Sequence, residues 1–447
     1  MQHFTIFHIV RYFTFVAVMG MLPIAASAQP PAATPVDPLQ AGIDAAVDTF
    51  KKSDIAGTLE QLKALYGQYP SLAPPQVFMA QLFAKAGLGE AARASLEAAI
   101  TETPSDPEAY ILLGEILLQQ RYFAAADLLL KEAIGKLDAY TVDSARKKML
   151  RTAWFRNAII LADARGQWNA VLQLLDAAIV QDGETPVQLR QKGVALFQLK
   201  REMEALAQFA KADALPQAAE QQDSGLPAEA MMAQLYQMRG DKENAQKYLA
   251  AALQKYPKSK EVVILSIQSR LYEDKLEDAK RLAETLVTEY PTWLPGKSML
   301  ATIALYLGDY AGAEKLFQEL ILASPSDEQI TNGLALAQCE QNNPQKLQLA
   351  LRYAEANVNK NQQVSDHWAT YAWVLYKDKQ YEKAEQALKR ATATGQVTAA
   401  TAYYMACVSL QKERKEDAIQ LLKDALGTPA PFAKRREAAK MLETLKE

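Results

Sequence analysis

From Leu39 onward, apolar residues recur at helical spacing in amphipathic runs separated by short polar or aromatic turns, a pattern that predicts helices. Every second run opens on a small residue: Ala92, Ala126, Ala205, Ala245, Ala279, Ala313, Ala384 and Ala418 are the plainest cases. Alignment on that alanine sets repeat starts at Leu39, Ala73, Pro107, Thr152, Pro186, Leu226, Lys260, Leu294, Thr331, Ser365 and Ala399. Seven of the ten intervals are 34 residues, and the others are 45, 40 and 37. Repeat position 20 is Ala in nine of eleven repeats, with Thr58 and Val171 departing. Position 27 is Ala in seven, and position 32 is Pro in five: Pro70, Pro104, Pro257, Pro291 and Pro325. Three positions in phase along nearly the whole chain indicate one repeated unit, not three globular domains.

The period and the alanine at the second-helix entry resemble the tetratricopeptide repeat. That resemblance implies an all-α fold: a right-handed α-solenoid of about eleven helix-turn-helix units with a C-terminal capping helix. Small residues at position 8 (Ala80, Gly114, Gly193, Ala233, Ala301, Ala372, Ala406) let paired helices approach closely. Leu or Phe at position 24 (among them Leu130, Phe209 and Phe317) fills the space between them. Proline after the second helix stops it. One unit cannot bury its own apolar face, so stacking supplies the core.

Insertions divide the array. Residues 135–144 lengthen the second helix of the third repeat or its exit. Residues 217–227 lack apolar periodicity and read as a loop. Asn342-Asn343-Pro344 falls at the inter-helix turn of the ninth repeat and absorbs the third insertion. The expected organisation is a signal peptide at 1–28, a linker at 29–38 and five repeats over 39–216. A loop at 217–225, six repeats over 226–432 and a capping helix at 433–447 follow. Ala438, Met441, Leu442 and Leu445 share one face of that cap, and Lys434-Arg435-Arg436 reads as its solvated surface.

The N-terminus reads as an address. Arg11 is the only formally charged side chain before Asp37, and an apolar run from Tyr12 to Ile24 follows it. Ala26-Ser27-Ala28 has the small-x-small form of a signal-peptidase site, which predicts export to the periplasm or envelope with cleavage after Ala28. An uncleaved N-terminal anchor is the alternative. No later stretch reaches a spanning length, so no transmembrane segment is expected after cleavage.

Composition narrows the chemistry. The net charge of −3 carries no electrostatic footprint for nucleic acid. The three histidines are His3, His8 and His367, so beyond the address segment one His and two Cys remain, too few for a multi-His or Cys-rich metal site. No phosphate loop, dinucleotide fingerprint, zinc-helix motif or nucleophile elbow is present, so no cofactor and no enzymatic activity are expected. His367 would need a nucleophile and an orienting acid nearby, whereas Ser365-Asp366 reads as a helix start. Cys339 and Cys407 fall at position 9 of repeats nine and eleven, too far apart for a disulfide, and are expected as shielded free thiols.

Recognition remains. In tetratricopeptide proteins the first helices line the concave face, and positions 2, 5, 9, 12 and 13 point into it. Here the resemblance assigns partner binding to Arg156, Arg190, Tyr272, Tyr306, Trp373, Tyr376 and Tyr403, with Asp163 and Lys377 among the neighbouring positions. The competing reading is that the aromatics pack between layers. The family's carboxylate clamp needs Asn at position 9, and repeats four and five carry Ile160 and Val194 there, so no clamp is expected. Residues 366–445 resemble the C-terminal part of bacterial envelope repeat proteins, including those of exopolysaccharide export systems. Trp368-Ala-Thr-Tyr-Ala-Trp373, Ala402-Tyr-Tyr-Met-Ala406 and Pro431-Phe-Ala-Lys-Arg-Arg-Glu-Ala438 carry that likeness. The expected function is a non-catalytic exported scaffold for envelope proteins or peptide segments. A solenoid that binds glycan or peptide fragments is the alternative.

Overall fold

The computed structural model describes residues 37–215, 225–393, 395, 397–428 and 430–446, and every regular element there is a helix. The expected signal peptide lies outside the described residues, as do most of the linker and of the 217–225 loop. Contacts divide the chain into two compact bodies, residues 1–222 and 223–447.

The N-terminal body holds five antiparallel helix pairs. They are α1 (Pro38–Lys51) with α2 (Ile55–Gln68), α3 (Pro75–Lys85) with α4 (Gly89–Glu102), and α5 (Glu108–Gln119) with α6 (Phe123–Ala139). Then come α7 (Ser144–Ala164) with α8 (Trp168–Asp182), and α9 (Pro186–Gln198) with α10 (Glu202–Ala214). The C-terminal body opens with α11 (Ala228–Arg239) and α12 (Lys242–Lys255), α13 (Lys260–Tyr272) and α14 (Leu276–Glu289), and α15 (Leu294–Leu307) and α16 (Tyr310–Ala323). It continues with α17 (Glu328–Cys339) and α18 (Pro344–Lys360), α19 (Ser365–Lys377) and α20 (Tyr381–Ala391), and α21 (Ala399–Gln411) and α22 (Lys415–Gly427). A last helix, α23 (Arg435–Lys446), packs on α22 and buries Ala438 and Leu442.

Each pair closes through one left-handed residue. Ser53, Gly87, Arg121, Gly166, Lys200, Gly240, Asp274, Gly308, Asn342, Lys379 and Glu413 all have φ between +46° and +83°. Such a residue ends the first helix and redirects the chain into the second. Four are glycine. Asp274 and Asn342 tolerate the conformation, whereas Ser53, Arg121, Lys200, Lys379 and Glu413 disfavour it, so packing of the paired helices enforces the turn there.

Those turns also fix the register of the insertions. The first helix of repeat four begins at Ser144, not Thr152, and α6 runs on to Ala139. The 45-residue interval therefore lengthens two consecutive helices. Asp143 caps α7, accepting the Arg146 N–H at 2.6 Å. In repeat nine the first helix begins at Glu328, not Thr331, and the extra residues form one more turn of α18 ahead of Ala350.

Packing follows the periodic positions. Position 24 is buried wherever it is Leu or Phe, and position 20 is buried in every repeat except at Ala245, which is partly exposed. Gly193 shows why position 8 is small: a Cβ there would lie 2.5 Å from Phe209 Cε1. Phe209 is itself enclosed and cannot step aside. Gly193→Ala is therefore expected to destabilise the N-terminal body by about 1–3 kcal/mol despite the better helix propensity of alanine. Gly135→Ala, in α6 with nothing within 4 Å of its Cβ, is expected to stabilise by about 0.5–1 kcal/mol. Thermal melts of the two variants should move in opposite directions, and melts that move together would refute the packing account.

Candidate functional site

In the N-terminal body the two arginines assigned to recognition are already paired. Arg156 Nη2 lies 3.1 Å from Glu115, on the neighbouring first helix. Arg190 Nη2 lies 3.3 Å from Asp213, on the partner helix of its own repeat. The strongest electrostatic feature is one the sequence analysis passed over. Arg146 donates from Nη1 to Asp106 Oδ2 at 2.7 Å and to the Tyr140 hydroxyl at 2.7 Å. It donates from Nη2 to Asp106 Oδ1 at 3.1 Å and to Glu108 Oε2 at 2.6 Å. Gln81 donates to the other Glu108 oxygen at 3.1 Å. All three ionic side chains are buried. Burial pushes the Glu108 carboxyl up against the opposing pull of Arg146. The cluster ties the extra turns of α7 to the start of α5. Its partners are 38 and 40 residues apart in sequence, so no local spacing betrays it.

Asp163, in the last turn of α7, has no cation paired with it among the described residues. Burial pushes its carboxyl from the ordinary 3.8 to about 6. The folded chain then holds this proton more tightly than the unfolded chain, so stability falls as pH rises between about 4 and 6. Asp163→Asn is expected to raise stability near neutral pH by about 1–2 kcal/mol, a figure discounted for partial exposure. It should also flatten the melting temperature across that pH window. A variant with an unchanged pH profile would rule this out.

In the C-terminal body the structure gathers Trp373, Tyr376 and Tyr403, but inside the protein. Trp373 is 4% exposed and Tyr403 1%. The Trp373 indole is sandwiched between Tyr376, at 5.0 Å and 8°, and Tyr404, at 4.5 Å and 16°. The expectation that Trp373 and Tyr403 face an open groove is thus corrected: both are core residues between stacked repeats. The physical reason is that small residues such as Ala372 and Ala406 let α19 and α21 close over the rings. Tyr376 is half-buried, its hydroxyl pushed up to about 12 by burial. Tyr306 is also half-buried, and burial, with Asp366 and Tyr272 nearby, raises its pKa. Tyr272 is 50% exposed. Of the aromatic set, Tyr272, Tyr306 and Tyr376 therefore keep solvent access.

A buried carboxylate organises this region. Glu340, at the end of α17, accepts from Trp373 Nε1 at 2.7 Å on one oxygen. The other oxygen accepts from Lys377 Nζ at 3.1 Å and from Lys434 Nζ at 2.9 Å. Lys434 comes from the lead into α23, 94 residues away in sequence. Its ammonium also sits 5.2 Å from the centre of the Tyr310 ring. Burial alone would lower the Lys434 pKa, yet the Glu340 charge and the contact with Tyr310 raise it above the ordinary lysine range. The expected solvated surface at Lys434 is therefore corrected, because its side chain is only 12% exposed. Arg435 serves the cap instead, donating to the carbonyls of Leu426, Thr428 and Ala430.

The remaining chemical candidates sit in the core. Cys339 and Cys407 are buried free thiols, and burial pushes Cys407 up to about 12 and Cys339 higher, which keeps both protonated and inert. His367 is buried, and desolvation lowers its pKa against the pull of Glu328. Among the described residues no group of three or more His, Cys, Asp or Glu is placed to hold a metal ion. Among them, too, no helix is long and apolar enough to cross a membrane.

Stacked helix hairpins with small residues at their contacts define a helical-repeat protein of the solenoid class. The family model described as tetratricopeptide repeat matches residues 79–140 and 298–357, one stretch in each body. Those two stretches carry tetratricopeptide repeats. No curated protein matches it. Similar solved structures include a tetratricopeptide repeat protein from Parabacteroides merdae, 13% identical, covering 67% of this chain and 100% of that one, with a TM-score of 0.40. Yeast Tom70 is 13% identical over 91% of this chain and 95% of its own, with a TM-score of 0.36. Pseudomonas aeruginosa pilF is 17% identical over 48% and 96%, with a TM-score of 0.33.

Proposed function

We propose that this protein is a non-catalytic, exported scaffold that captures segments of partner proteins in a bacterial cell envelope. The observation that carries the reading is the use of the first helices. Across eleven hairpins they supply the stacking core and still leave Tyr272, Tyr306 and Tyr376 within reach of solvent. Tyrosines of this kind anchor interfaces, offering large contact area with one polar handle. Export rests on Arg11, the apolar run to Ile24 and Ala26-Ser27-Ala28. A role in envelope assembly or exopolysaccharide export rests on the likeness within residues 366–445.

The test is crosslinked affinity capture of the tagged full chain from its own envelope fraction, read by mass spectrometry. One or two dominant envelope proteins are expected, lost in a Tyr272→Ser variant with an unchanged melting temperature. An empty capture, together with tyrosine fluorescence shifted by soluble oligosaccharides, would replace the scaffold with a glycan-binding solenoid.

A further inference from the structure

The lead into the last helix does more than cap the array. A cap needs contact only with the final repeat, and Ala438 and Leu442 already supply it on α22. Lys434 and Arg436 instead reach onto earlier repeats of the C-terminal body. Phe432, on the final repeat, is buried with its ring 6.1 Å from that of Tyr403. Lys434 reaches Glu340 in repeat nine and Tyr310 in repeat eight. Arg436 Nε lies 3.4 Å from Asp274, in the inter-helix turn of repeat seven. The space left beneath Lys434, bounded by Leu305, Tyr310, Leu336, Trp373 and Tyr404, is only about 10 Å³, about one water's worth. The segment fills its site as a ligand would.

We propose that Phe432–Arg436 occupies in cis the recognition groove of the C-terminal body. In trans, that groove takes a partner segment that turns into a helix and bears an aromatic residue, a lysine two positions later and a further basic residue in the first helical turn. This inference rests on the scaffold reading and names the partner chemistry and its control. The acceptors are anionic: Glu340 fixes the lysine and Asp274 the outer cation. Glu340 keeps Lys377 and the Trp373 N–H when Lys434 leaves, so release does not strand a bare buried carboxylate. A tethered segment competes at high effective concentration, so the wild-type chain binds partners weakly until the tail is displaced.

The probe is a labelled synthetic peptide of residues 430–438, followed by fluorescence anisotropy against the full chain. A Lys434→Met/Arg436→Gln variant is expected to bind it at least tenfold more tightly than wild type. Adding Glu340→Gln to that variant should weaken binding at least tenfold. Equal affinity for wild type and the tail variant, or indifference to Glu340→Gln, overturns the proposal. Should the variants fail to fold, hydrogen exchange on the wild-type chain decides. Faster exchange at residues 432–436 under excess peptide supports displacement, and unchanged exchange overturns it. Envelope capture that persists beside a negative peptide result removes this proposal alone. An empty capture removes the scaffold reading whatever the peptide does.

Discussion

Arg146→Met lowers the stability of the N-terminal body by about 3–5 kcal/mol, the range seen when one partner of a buried ion cluster is removed. The change keeps most of the side-chain volume, so the loss is electrostatic. Asp106 and Glu108 would be left buried beside each other without their cation. Burial already pushes Glu108 up while Arg146 is present, and removing the cation raises that carboxyl further. In the variant the folded state therefore binds protons that the unfolded state releases. Its stability should recover as pH falls through the carboxylate range. Arg156→Met, which breaks an ion pair with an arginine 48% exposed, should cost about 0–1 kcal/mol. Denaturant unfolding of both variants at two pH values checks the argument. Equal losses at neutral pH, or a deficit for Arg146→Met that does not shrink in acid, would refute it.

Trp373→Ala and Tyr403→Ala each cost the C-terminal body about 3–5 kcal/mol, as expected for large aromatics truncated in a close-packed core. Trp373→Ala also removes the donor that Glu340 uses on one oxygen. The rings lie 5.6 Å apart, so the two losses couple and do not add. Partner binding would then vanish with the fold around it. The double variant is thus a poor probe of a binding surface, whereas Tyr272→Ser, at an exposed ring, is a good one. Circular dichroism melts and limited proteolysis within 328–411 provide the check. A Trp373→Ala chain with wild-type melting would mean that the ring is not core.

Trp373, Tyr376 and Tyr403 were legible as a cluster, because each occupies an inward position of a first helix. Whether such a position faces solvent depends on how closely the next helix stacks, and no single repeat carries that information. Lys434 fails for a related reason. A lysine beside two arginines reads as solvated surface until a carboxylate 94 residues earlier is seen to wait for it. The Arg146 cluster joins three turns of chain that only stacking brings together.

Periodicity alone set the eleven hairpins, the small residues at their contacts and the terminal cap, because helix pairing is local and repeats every 34 residues. Spacing cannot show where an inserted residue goes, so folding placed the starts at Ser144 and Glu328. Packing also imposed five left-handed turns on residues that do not favour them. It turned two expected groove residues into core and laid the chain's own Phe432–Arg436 across three other repeats. Each of these depends on contacts between residues far apart in sequence, whose free energy exists only once the layers have stacked.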